Sequence, residues 1–233
     1  MNRVHDAIRR LPPGVEFLVV VTWAFGLPIF ASIMSLAAPN DARSPVFTNP
    51  ELFAAIIFEV IQLGFLAWFL RIRGWTLEKL GLGVTFRGTA YGIGLIIVTF
   101  ATLWAVQHLA QWAMPVDMAA AAARYPTASP NLSMHLVFLV STVNGIFEEV
   151  FVAGYIITAL APVRGMWTGI NVSTGVRLLY HLYQGPLGIL SVVPVGLLFG
   201  YVYARSRQLW PLILAHIVID IIGLTQGGSG NSP

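Results

Sequence analysis

The stretch TVNGIFEEVFVAGYI, residues 142–156, sets two adjacent acids, Glu148 and Glu149, inside an otherwise apolar run. A run of this kind is a membrane span, and an acid at its centre costs about 2.5–3.5 kcal/mol on insertion scales. Two such acids are retained only where they face a polar cavity, so the stretch predicts both a helix bundle and a site inside it.

The rest of the chain agrees. Of its 233 residues, 57% are hydrophobic and only 10% are charged, far below the roughly 25% of a soluble domain. Seven apolar stretches approach the ~20 residues that cross a bilayer: 15–38, 51–70, 89–114, 132–161, 166–183, 186–204 and 208–224. The fifth is short and polar, so its neighbours must shield it. The expected architecture is all-α, a polytopic membrane bundle of about seven helices around a polar catalytic cavity. Residues 1–14 read as a cytoplasmic tail, 15–224 as one transmembrane domain, and 225–233 as a flexible tail. "AAAAR", ending at Arg124, reads as a helical turn between the third and fourth spans.

Basic residues alternate across the loops. Arg3, Arg9, Arg10, Arg71, Arg73, Lys79, Arg87, Arg164, Arg205 and Arg207 fall on one side, and only Arg43 and Arg124 on the other. Positive loops stay inside, which places the N-terminus in the cytoplasm of a multi-pass protein, expected in a bacterial plasma membrane. The segment RIRGWTLEKLGLGVTFRG, starting at Arg71, reads as an interfacial strip. A net charge of +3 is loop asymmetry, not a nucleic-acid surface. With no cysteine, thiolate nucleophiles, thiolate zinc sites and disulfides are excluded.

Ionisable residues within spans mark function. Residues four apart share a helical face, which pairs Asn144 with Glu148, Arg177 with His181, and His216 with Asp220. Three helices can thus turn polar faces to one cavity. A carboxylate beside a second acid and a cation is a plausible base for water. Glu59 reads as structural, bonded to a neighbouring helix. His-Glu-x-x-His is absent and Asp220 is the only aspartate in a span, which removes two familiar intramembrane protease chemistries. Glu148, His181, His216 and Asp220 are acceptable zinc ligands, so a zinc ion on that set stays open beside an arrangement with no cofactor.

EEVFVAGY (148–155), RLLYHLYQG (177–185) and LWPLILAHIVID (209–220) resemble, in order, the three motifs of the CPBP family. These are the CAAX proteases and bacteriocin-processing enzymes, also called the Abi family. The resemblance implies an intramembrane endopeptidase of glutamic type, acting on a membrane-anchored or lipid-modified peptide or protein among membrane lipids. It implies that Glu148 activates water, with Glu149 as its paired acid. His181 would partner the water, and His216 and Asp220 would stabilise the oxyanion. An ionised Asp220 has no proton to donate, so orienting His216 suits it better. The family arginine after the acid pair falls on Ala153, and the second-motif aromatic falls on Arg177. Arg177 is therefore expected to take over the missing arginine's role, with Asn144 also in support. A non-proteolytic membrane binder, such as an immunity or regulatory factor, and a proton-coupled transporter are the alternative functions.

Overall fold

The computed structural model describes residues 2–36, 46–113 and 125–226. Arg43, Arg124, the alanine-rich turn and residues 227–233 lie outside them. Nine α-helices are described: α1 (Asn2–Arg9), α2 (Pro13–Leu36), α3 (Asn49–Ile72), α4 (Phe86–Ala113), α5 (Met134–Glu148), α6 (Ile156–Arg164), α7 (Met166–His181), α8 (Gly185–Ser206) and α9 (Trp210–Gln226). A π-helical segment, Glu149–Tyr155, joins α5 to α6 without a break. A 3₁₀ turn, Leu182–Gln184, separates α7 from α8.

Each expected span has its helix. The fourth is α5, the π segment and α6 together, 31 residues long and the most buried of the five long apolar stretches. The fifth and sixth are α7 and α8, which part at Gly185, where φ is +66°. At 16 residues, α7 spans only about 24 Å. It packs against α8, α6 and α2, the shielding its polar sequence requires. α2, α3 and α4 carry exposed Phe30, Phe53, Ile97 and Trp104 on their outer faces, as a lipid-facing ring would.

The large core side chains, Phe25, Phe151, Tyr155, Ile157, Phe199 and Tyr203, gather where α2, the π segment and α8 meet. Close approaches set the helix positions. A side chain at Gly145 would meet Ile217 at 3.0 Å, so α5 and α9 lie nearly backbone to backbone. Gly81, at φ +69°, leaves no room for a Cβ against the Arg207 carbonyl, and its own carbonyl accepts the Leu209 N–H at 2.9 Å.

The N-terminal segment differs from a simple tail. Eight of its residues form α1, which is docked by Arg73: the guanidinium donates to the Ile8 and Arg9 carbonyls at 3.0 and 2.6 Å. Arg73 also donates to Glu16 Oε2 at 2.5 Å, and Glu16 Oε1 accepts from Trp75 at 2.8 Å and Tyr155 at 3.1 Å. His5 lies edge-on to Trp68 rather than free in solvent. One buried carboxylate thus ties α1, α2, the loop after α3 and the end of the π segment. Two-residue strands β1 (Val46–Phe47) and β2 (Thr127–Ala128) pair in parallel at the opposite end of the bundle.

Glu16→Gln removes the charge that three donors share. It is expected to cost about 2 kcal/mol and to lower the thermal midpoint in detergent by several degrees. An unchanged midpoint would show that the network adds no stability.

Candidate active site

Glu148 ends α5 and Glu149 begins the π segment; they are 6% and 0% exposed. On a regular α-helix adjacent side chains diverge by about 100°. The wider π turn is frequent at functional sites, and here both carboxylates reach the same cation. Arg177 Nη1 donates to Glu148 Oε2 at 3.3 Å and Nη2 to Glu149 Oε1 at 2.7 Å. Phe199 lies 5.9 Å beneath the guanidinium.

α7 supplies a run on one face. Arg177, Tyr180 and His181 stand at i, i+3 and i+4. The Tyr180 hydroxyl donates to Glu148 Oε2 at 2.5 Å, and its ring is stacked on Phe25 at 5.0 Å. Oε2 is therefore held twice, while Glu148 Oε1 makes no hydrogen bond among the described residues. His181 Nδ1 lies 3.0 Å from the Arg177 carbonyl, an acceptor only, so Nδ1 carries the proton and a neutral ring keeps its lone pair on Nε2.

α9 closes the cluster. His216 Nδ1 donates to Glu149 Oε1 at 2.6 Å. Its Nε2 lies 3.5 Å from Asp220 Oδ1 and 3.9 Å from Glu148 Oε2. Asn144 donates to Asp220 Oδ2 at 2.8 Å and sits 3.5 Å from His216 Nε2. The three helical pairs expected from spacing do converge. Asn144, Glu148, Arg177, His181, His216 and Asp220 all line one cavity of about 630 Å³, while Glu149 stands behind them as the counter-charge.

Two side chains were not legible as members of this site. Tyr180 lies beside the motif histidine, and its place on the Arg177–His181 face is the signal that could have found it. Glu59 was expected to bond a neighbouring helix. Instead it lines the cavity from α3, with Oε2 buried and unpartnered among the described residues. Its spacing from Leu52 and Ile56 puts it on the face that packs toward α5, but the pocket opens before a donor is reached.

As for metal, no three His, Asp or Glu side chains among the described residues meet as a metal-holding group. The carboxylates of Glu148 and Glu149 are engaged by Arg177 instead. The chemistry below is carried by the side chains alone.

Residues 130–222 match the family model described as Rce1-like, type II CAAX prenyl endopeptidase. This is the CAAX protease family that the three motifs resemble. The matched segment contains every cluster residue from Asn144 to Asp220; Glu59 and, apart from Tyr155, the Glu16 network lie outside it. No curated protein and no solved structure matches the chain.

Removing Arg177 leaves two adjacent buried carboxylates without a cation. Arg177→Ala is expected to cost about 3–5 kcal/mol, and Arg177→Lys to recover little, because an ammonium lacks the planar fork that spans both acids. Adding Glu149→Gln to Arg177→Ala should restore part of the loss. Thermal unfolding of the three variants checks this, and a double variant no more stable than Arg177→Ala would contradict it.

Proposed function

We propose that this member of the Rce1-like match is an intramembrane endopeptidase of glutamic type, acting on a membrane-anchored or lipid-modified peptide. One observation carries the reading: Glu148 presents a free Oε1 to the cavity while Arg177 and Tyr180 immobilise Oε2. A base held by one oxygen and open at the other is oriented for a water proton.

The steps use only groups in the cluster. Glu148 Oε1 takes a proton from water, and His181 Nε2 accepts the water's second hydrogen to aim its lone pair. The oxygen attacks the scissile carbonyl carbon. The resulting oxyanion is met by His216 Nε2–H, in the imidazolium form that donates from both nitrogens. Glu149 fixes that ring through Nδ1, and Asp220, held by Asn144, orients it at Nε2. When the C–N bond breaks, Glu148 returns its proton to the departing amine. Water is thereby added across the peptide bond, with no group left on the enzyme. Phe25, Phe58, Leu103 and Phe147 give the cavity an apolar wall suited to a lipid chain or apolar side chains.

A reconstituted cleavage assay on a library of membrane-anchored peptides tests the reading. Glu148→Gln is expected to lose about 10²–10⁴-fold in rate. Tyr180→Phe, which removes one hydrogen bond to the carboxylate, should lose about ten-fold with the fold unchanged. Cutting that survives Glu148→Gln would refute the mechanism. A folded wild type that cuts nothing would leave the membrane binder as the better account.

A further inference from the structure

The cavity and the basic residues occupy opposite ends of the bundle. At one end the structure joins the segments that carry most of the charge. Arg73 holds α1 through the Ile8 and Arg9 carbonyls. The loop after α3 meets the α8–α9 junction through the Leu209 N–H on the Gly81 carbonyl, and Arg207 reaches the Lys79 carbonyl at 3.5 Å. α6 also ends on this side, at Arg164, because the chain crosses once from α5 through the π segment.

The other end is built from the remaining connections. β1 pairs with β2. Asn49 Nδ2 donates to the Asn131 carbonyl and Asn49 Oδ1 accepts the Ser133 N–H. The 3₁₀ turn after α7 is held by the Tyr183 N–H on Ser32 Oγ at 2.9 Å, against the last turn of α2. The outer lining of the cavity comes from these connections and the end of α9: Val46, Phe47, Tyr125, Thr127, Tyr183 and Gly223. No lining residue belongs to the loop 73–85, to residues 207–209 or to α1. Below the cluster the path is filled by Phe151, Tyr155, Ile157 and Tyr203, all buried.

Ten of the thirteen Lys and Arg residues of the sequence lie at the closed end, with Arg177 between, and the other two fall outside the described residues. Basic loops are retained in the cytoplasm. We infer that the cavity opens away from the cytoplasm, so that the site takes peptide segments displayed on the extracytoplasmic side of the membrane and releases its product there. The substrate class narrows to exported or outward-facing stretches of membrane-anchored peptides. A lipidated tail lying on the cytoplasmic surface would meet the Glu16–Arg73 end, which is closed. This inference rests on the protease reading for the word substrate and stands apart from it for the orientation.

The absence of native cysteine makes single-cysteine labelling direct. Thr127→Cys and Asn131→Cys mark the open end, where both residues are exposed. Glu78→Cys and Gly83→Cys mark the closed end; Glu78 is exposed, and a Cβ at Gly83 meets open space. With a membrane-impermeant maleimide on intact cells, the open-end pair should label about ten-fold more than the closed-end pair, and permeabilisation should equalise them. The reverse pattern, or equal labelling of intact cells, overturns the inference. Two sites at each end guard against one variant failing to fold. Labelling needs no cleavage. Reversed labelling with Glu148-dependent cutting would therefore sink the orientation alone. Outward labelling of a folded wild type that cuts nothing would sink the protease reading alone.

Discussion

One guanidinium between two adjacent buried carboxylates is the constraint around which the bundle is arranged. Neither Glu148 nor Glu149 is tolerable as a lone charge at that depth. Arg177 meets both, and His216 donates a second hydrogen bond to Glu149. Because the acids are neighbours in sequence, a shared partner requires the helix to widen where they sit, and the π segment starts at that point. Because the cation comes from another helix, α7 must pack close to the π segment. That packing in turn brings Tyr180 and His181 to the cavity. A fold requirement and the layout of the candidate site are thus the same interaction seen twice.

The position of the charge distinguishes this chain from the motif it resembles. An arginine at 153 would rise from the same helix as the acids it serves. Ala153 is instead 1% exposed within the core, and the cation stands where the second motif carries an aromatic. Phe199 covers the guanidinium from below, so the exchange keeps an aromatic face near the charge while moving the charge across a helix interface. We read Arg177 as a positioning residue: it acts on water only through Glu148.

The helices were legible because apolar length and breaker residues report them directly. The turn at Gly185 and the Trp210–Pro211 start of α9 agree with the expected ends to within a few residues. The i, i+4 spacing put Asn144 with Glu148, Arg177 with His181 and His216 with Asp220 on shared faces; that the three faces meet is a result of the helix packing. What stayed hidden depends on contacts between distant segments. α1 is eight residues of polar sequence whose order comes from Arg73 and, through it, Glu16. The π segment leaves no mark in an apolar run, since all of its own positions are buried. Tyr180 reads as an ordinary span aromatic until its hydroxyl is seen on Glu148, and Glu59 reads as a helix–helix bond until the cavity is seen in front of it.

The most direct test of this account exchanges the two positions. In Arg177→Phe the clamp is gone, and peptide cleavage should be lost. Adding Ala153→Arg restores a cation from the acids' own helix together with the aromatic of the second motif. Cleavage by this double variant should recover to a large fraction of the wild-type rate. Full cleavage by Arg177→Phe alone, or a folded double variant that remains inactive, would contradict the claim that Arg177 performs the missing arginine's task.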